Sequence, residues 1–367
     1  MKIGIITYHR AENYGSVLQA YALSTFISSQ QNVDEVQIID YSNIAQQRLY
    51  KLFQPNKGGI MNILRNIHTL LYLKALKIKK AKFKCFLNNK LNLSKYSGSD
   101  INGLIQYAKK YDKVVAGSDQ IWNVRCADYD DNYMLSFIGP SKRIAYAPSL
   151  GVSDFNVEES RIIEKNLKNF KRISVREKSG SKFLTTLLGK EIDYVCDPVL
   201  LLSAEQWRNL SNQSSFNFGE DYILCYFIGD IPGMRKFALR VHKETGLKTI
   251  VIMKNLRDIF SPYQSKFSTG PIDFLKLIQN AKYIITDSFH AVAFSHIYEK
   301  QFWVFANNHS DRLDSLLEIS GLLNRKVSAC NMMNIDLSQN IDYTKHKERL
   351  IPFIEKSRKY LIEAIYS

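Results

Sequence analysis

Short apolar runs alternate with amphipathic stretches along most of the chain. Lys2–Tyr8 is a continuous apolar run and predicts a buried strand. Ser16–Ser28 places Val17, Leu18, Tyr21 and Ala22 at helical spacing, and Glu35–Ile39 predicts a second strand, which completes a βαβ opening. Further strands are predicted at Lys113–Ala116, Arg143–Ala147, Ile173–Arg176 and Ile192–Cys196, with helical patterns between them. Asp197-Pro198 closes the last of these, and Ser203 with Gln206 three residues on has the spacing of a capping box. The polar stretch Arg208–Asp221 carries neither period and predicts a linker. A second series starts at Tyr222: a strand, a helix over 233–246, a strand over 248–253, and a helix from Pro271, a residue suited to a first turn. Strand Tyr283–Thr286, helix Ala291–Tyr298, strand Phe302–Phe305, helix Asp311–Ile319 and a long amphipathic helix Lys345–Ile365 follow.

This alternation predicts an α/β protein of two doubly wound, Rossmann-like domains. The first is expected over residues 1–207 and the second over 221–342, with a linker at 208–220 and a closing helix at 343–367. One segment breaks the pattern. Between Tyr41 and Ser99 there is no Asp or Glu, while twelve Lys or Arg occur there, Lys57, Lys77, Lys79, Lys80, Lys82 and Lys84 among them. Ile60, Ile63, Leu64, Ile67 and Leu71 form an apolar stripe on a basic helix, and a second basic helix is predicted over Leu73–Leu87. Residues 41–99 are therefore expected to be a basic helical excursion from the first domain.

Composition adds three constraints. The length of 367 residues and a hydrophobic content of 45% supply two ordinary cores. No run is long and apolar enough for a transmembrane helix, and the start of the sequence reads as a buried strand rather than a signal peptide. Five scattered cysteines without ligand spacing predict neither a disulfide framework nor a metal site, and a reducing cytoplasm is the expected location. The net charge of +15, concentrated in 41–99, points to an anionic partner or to a plain solvated basic face.

In open parallel sheets, ligands bind beyond the carboxyl ends of strands. After the first strand come Asn13, Tyr14 and Gly15, readable as an anion-binding turn into a helix or as a turn alone. No G-x-G-x-x-G is present, so a dinucleotide site is not indicated. After the strand ending at Ala116 come Ser118, Asp119, Gln120, Trp122 and Asn123. Trp122 is a candidate platform under a sugar ring, with Asp119, Gln120 and Asn123 bonding its hydroxyls; a turn and cap explain Ser118 and Asp119 equally. Arg176 ends another strand, as an anion clamp or as a partner of Glu177. After Thr286, Ser288 falls at a helix N-cap and His290 in the first turn. That combination offers an anion seat beside an imidazole, which a bound dianion would keep protonated for general-acid work. The alternative is a cap and a packed histidine. Arg312, opening a later helix, is a second clamp candidate, with Lys300 and the polar residues 306–311 nearby. His296 is expected to be structural.

Taken together, "TYHRAENYGSVLQAYAL", "VVAGSDQIWN", "ISVRE", "CDPVLLL" and "ITDSFHAVAFSHIYEKQFWVF", followed by "RLDSLLEISGL", resemble in order and spacing the polysaccharide pyruvyl transferase family, from about residue 2 to about residue 323. The resemblance implies a GT-B-like arrangement of two domains with the active site in a cleft between them. It implies transfer of a pyruvyl group from phosphoenolpyruvate to two hydroxyls of a sugar, as a ketal. Its donor-binding residues fall on Arg176, on Ser288 and His290, and on Arg312. Phe289 stands where some members carry a basic or aliphatic residue. On this reading His290 is the general acid or the holder of the phosphate. Asp119 is the base, with Asp287 behind it.

No cofactor or metal is expected beyond phosphoenolpyruvate as donor. The acceptor is expected to be a sugar of a surface polysaccharide or of a lipid-linked precursor, met at the inner face of the plasma membrane. Peripheral contact with anionic lipid, or a grip on the acceptor's diphosphate, would fall to 41–99. The alternative with the same fold is a GT-B-like glycosyltransferase using a nucleotide sugar. Nucleic acid is not an expected partner, because the basic block is dominated by Lys and carries few aromatics.

Overall fold

The computed structural model describes residues 1–53, 60–252, 264–306 and 311–367. The chain divides into two compact units. The first comprises Met1–Lys51, Cys85–Leu202 and Ile351–Ser367; the second comprises Leu52–Lys84 and Ser203–Leu350.

The first unit is built on β1 (Lys2–Ile6), β2 (Glu35–Tyr41), β3 (Leu93–Gly98), β4 (Lys113–Ala116), β5 (Arg143–Ala145), β6 (Arg172–Val175) and β7 (Asp193–Tyr194). All pairs are parallel, in the order β3-β2-β1-β4-β5-β6-β7. The second unit holds β8 (Tyr222–Tyr226), β9 (Lys248–Ile252), β10 (Gln264–Ser265), β11 (Tyr283–Thr286), β12 (Gln301–Phe305) and β13 (Lys326–Val327), also parallel, in the order β10-β9-β8-β11-β12-β13. Numbered within each sheet, both read 3-2-1-4-5-6, the strand order of the doubly wound fold, and the first adds a seventh strand. Central strands with helices on both faces must be apolar on both sides. That is why "IGII", "VVA", "YILCY" and "FWVF" are buried throughout.

The helices follow the predicted alternation: α1 (Tyr14–Ser28), α2 (Ile44–Leu49), α3 (Ile60–Leu71), α4 (Leu73–Lys90), α5 (Ile101–Ala108), α6 (Val157–Leu167), α7 (Lys178–Leu188), α8 (Ala204–Ser211), α9 (Met234–Thr245), α10 (Pro271–Asn280), α11 (Phe289–Ile297), α12 (Asp311–Ser320) and α13 (Tyr343–Tyr366). The capping box at Ser203 is present in both directions, Gln206 N–H to Ser203 Oγ at 3.2 Å and Ser203 N–H to Gln206 Oε1 at 2.9 Å.

Four features depart from the sequence reading. The expected linker begins later, because α8 runs to Ser211 to bury Trp207 and Leu210. The excursion is not all helix: β3 forms the edge strand beside β2, hidden in the sequence by its polar residues. Residues 52–84 group with the second unit, where Lys82 Nζ bonds Asp273 Oδ2 at 2.7 Å and Tyr72 stacks on Phe267 with centroids 3.9 Å apart. The closing helix is not a separate element. From Ile351 it belongs to the first unit, where Ser357 Oγ accepts the Cys196 N–H at 2.9 Å and Tyr360 donates to the Ala145 carbonyl at 3.1 Å.

Candidate active site

In each sheet the crossovers reverse direction beside the first strand, between β1 and β4 in one unit and between β8 and β11 in the other. The carboxyl ends of those strands are where such folds open a crevice. The residues singled out after β1 and β4, and after β11, therefore fall at the two switch points.

In the first unit, β4 runs into Gly117-Ser118-Asp119. Asp119 has φ 76°, a left-handed conformation that Asp tolerates better than most residues. It is held there by a bridge to Pro148 and by the Ser149 N–H, which donates to the Asp119 carbonyl at 2.8 Å. Its carboxylate accepts from its neighbour's Gln120 N–H at 2.8 Å and from Ser16 Oγ, and lies 3.7 Å from Arg176 Nη2. Arg176 is buried. Its Nη1 donates to Asp197 Oδ2 at 2.6 Å and to Ser118 Oγ at 3.3 Å, and its Nε lies 3.8 Å from Glu177 Oε1. Burial opposes the charge on Arg176, but Asp197, Glu177 and Asp119 outweigh it and raise the pKa. Arg176 is therefore no surface partner of Glu177. It is the cation at the centre of three carboxylates.

The other residues proposed in this unit divide. Asn13 is the N-cap of α1, its Oδ1 accepting the Gly15 N–H at 2.9 Å. Gly15 is helical rather than a turn residue, and Tyr14 is buried. Trp122 is fully buried, its Nε1–H given to the Tyr133 carbonyl at 3.1 Å and its ring edge-on to Phe170. The sugar-platform role is thereby corrected: an indole with its only donor satisfied inside a core presents no face to a ligand. Asn123 Nδ2 bonds Gln120 Oε1 at 2.9 Å, and Asn123 Oδ1 accepts the Arg125 N–H at 3.1 Å. These two side chains shape the loop. A Cβ at Gly151, where φ is +75°, would come within 2.3 Å of Asn123 Nδ2.

Three groups went unnoticed in the sequence. Asp197, fully buried, anchors Arg176; the signal was its place in "CDP" at the end of a predicted strand. Asp40, near the end of β2, accepts from His9 Nε2 at 2.9 Å and from Arg10 Nε at 2.6 Å. Burial would raise its pKa, yet His9 and Arg10 hold it well below the ordinary range. Asp128 is buried, which raises its carboxyl pKa, and its carbonyl accepts from Asn43 Nδ2 at 2.8 Å; no periodicity marked it.

In the second unit, β11 ends at Thr286 and Ser288 caps α11, its Oγ accepting the Ala291 N–H at 3.4 Å. The Ser288 N–H is held in turn by Thr286 Oγ1 at 3.0 Å. His290 is the second residue of α11 and buried, its ring edge-on to Phe289 at 5.2 Å. The placement of Ser288 and His290 at a helix N-terminus is as the sequence predicts. Asp287 is not a reserve base: its two oxygens accept the Ile228 and Gly229 N–H groups at 2.6 and 2.5 Å and tie the loop after β8 to the end of β11. Arg312 is the second residue of α12 and half-buried, and residues 307–310 of the adjoining polar loop lie outside the described residues. His296 is buried, as expected for a structural residue, and stacks on His346 with centroids 4.4 Å apart.

Two parallel sheets with this strand order, each carrying its polar residues beyond the switch point, define an α/β protein of two Rossmann-like domains. Solved structures share that fold. UDP-GlcNAc 2-epimerase from Neisseria meningitidis matches with a TM-score of 0.56 and 13% identity over 100% of both chains. The enzyme from Rickettsia bellii matches at 0.54 and 11%, covering 100% of this chain and 95% of its own. That from Methanocaldococcus jannaschii matches at 0.55 and 15%, covering 97% and 100%. At such identities the likeness shows the GT-B-like fold alone. No curated protein sequence matches the chain significantly. The family model for polysaccharide pyruvyl transferase matches residues 13–309, and the chain belongs to that family.

Proposed function

We propose that the protein transfers the pyruvyl group of phosphoenolpyruvate to two hydroxyls of one sugar, forming a pyruvate ketal on a surface polysaccharide unit or its lipid-linked precursor at the inner face of the plasma membrane. The observation that carries this reading is the family match over residues 13–309, which includes Ser288 and His290 at the start of α11. A helix N-terminus favours an anion, and phosphoenolpyruvate brings a phosphate and a carboxylate. His290 gives a proton to C3 of the donor, which leaves C2 electrophilic. One sugar hydroxyl adds to C2 and yields its proton to a carboxylate, for which Asp119 is the candidate. The second hydroxyl adds as the bond from C2 to the phosphate oxygen breaks, and inorganic phosphate leaves with the second proton.

Arg176 enters as the donor's arginine, with Arg312 as a further cation. Because three carboxylates already surround Arg176, a donor anion gains most from it once Asp119 has taken a proton. The test is calorimetry with phosphoenolpyruvate on the wild type, His290→Ala and Arg176→Ala. Saturable binding that both variants weaken supports the reading. Absence of binding in the wild type, together with saturable binding of a nucleotide sugar, would replace it with a glycosyltransferase.

A further inference from the structure

Helix α3 is turned inside out relative to an ordinary surface helix. Ile63, Leu64, Ile67, Leu70 and Leu71 fall within a sector of about 120° on the helical wheel. In a globular unit such a stripe packs inward. Here all five side chains are exposed, from 42% at Leu64 to 68% at Leu71. The buried side is the polar one: Thr69 is buried, its Oγ1 donating to the Arg65 carbonyl at 2.9 Å and the Leu52 carbonyl at 3.2 Å. His68, also outside the stripe, sets its ring near Tyr72 and Phe267, at 5.0 and 5.8 Å. The fold therefore anchors α3 by its polar face and presents its apolar face outward.

We infer that this face of α3 is a docking surface for an anionic lipid bilayer, with the helix lying in the plane of the interface. Charge complementarity selects that occupant. The stripe lies in the segment of 41–99 that has no acidic residue, and α4, one residue beyond it, exposes Lys74, Lys77, Lys80 and Lys84. Lys82 is not part of this set, because it is fixed to Asp273. A second copy of the chain would bring a net charge of +15 against +15, so self-association through this segment works against its own charge. Aliphatic side chains with adjoining lysines are the make-up of an interfacial helix. At twelve residues α3 is too short to span, and among the described residues no helix is long and apolar enough to cross a membrane. The inference stands apart from pyruvyl transfer, since neither docking nor its loss depends on turnover.

The test is co-sedimentation of the full chain with vesicles of phosphatidylcholine alone, or with about 30% phosphatidylglycerol. The wild type is expected to pellet with the anionic vesicles at low salt and to release at about 0.5 M salt. Ile67→Ser/Leu70→Ser/Leu71→Ser is expected to lose more than about tenfold in partitioning, with its melting transition unchanged because all three sites are exposed. Lys74→Ala/Lys77→Ala/Lys84→Ala is expected to weaken binding to anionic vesicles only. The inference is overturned if the wild type stays in the supernatant at low salt, or if the serine variant binds as the wild type does. It is equally overturned if light scattering shows a dimer that the serine variant converts to a monomer, which would give the face to a second copy.

Discussion

The ends of β4 and β11 occupy the same place in two sheets of the same strand order, and they do opposite things. Past β4 the chain turns through a left-handed Asp119, and Asp119, Asp197 and Glu177 gather around the buried Arg176. Past β11 the chain enters a helix at once, with Ser288 on the cap and His290 in the first turn. One end collects acceptors and the other collects donors. Topology decides where such a site lies, and the few residues beyond the strand decide which sign of charge it welcomes. A reaction that must hold an anion, supply a proton and remove protons from hydroxyls needs both kinds.

The sharpest way to break that contrast is Asp119→Asn. If Asp119 is the base, turnover falls by about 10²–10⁴. If Arg176 also binds the donor, the same substitution removes a competing negative charge 3.7 Å from its Nη2, and phosphoenolpyruvate binds more tightly than to the wild type. Lost turnover with unchanged donor affinity would keep Asp119 as base and remove Arg176 from the donor site.

Next in size is the cost of the buried network itself. Asp197→Ala leaves Arg176 without its 2.6 Å partner in a dry site, and a loss of about 3–5 kcal/mol in denaturant-induced unfolding is expected. A loss below about 1 kcal/mol would mean that Glu177 and Asp119 suffice, and that the three carboxylates are redundant rather than built around one cation.

Much of this was legible in the sequence, and the limits have physical causes. Fully apolar strands separated by amphipathic helices left little room for any fold but a doubly wound one, and the positions of Ser288, His290 and Arg176 followed from strand ends. What periodicity cannot show is which way a polar-flanked aromatic points: Trp122 sits among site-like residues, yet its ring belongs to the core. Nor can it show ion pairing between distant strands. Arg176 and Asp197 are 21 residues apart, and Arg10 and Asp40 are 30 apart. The apolar stripe of α3 was visible, but only the structure shows it facing outward.

The second unit carries a pH dependence of its own. His296 and His346 stack, and burial, reinforced by His346, holds the His296 pKa well below the ordinary value; burial lowers His346 as well. The unfolded chain takes up protons near pH 6.5, the ordinary imidazole value, while the folded unit does not. Stability is therefore full above that pH and falls as pH drops through it toward the lower folded values. Melting temperatures followed from pH 7.5 to 5 should decline for the wild type and decline less for His296→Leu. Equal slopes would assign the acid sensitivity elsewhere.

The smallest effect separates capping from binding at Ser288. Replacing an N-cap serine with Ala costs about 1 kcal/mol, while Gly costs only a few tenths. Ser288→Ala and Ser288→Gly should therefore differ in stability. Both lack the hydroxyl, so if that hydroxyl also meets the donor they should lose phosphoenolpyruvate affinity to the same extent, by roughly tenfold for one hydrogen bond to a charged group. Affinity that follows stability instead, weakened in Ala and nearly intact in Gly, would show that Ser288 serves only to start α11. The anion seat would then belong to the helix N-terminus and His290 alone.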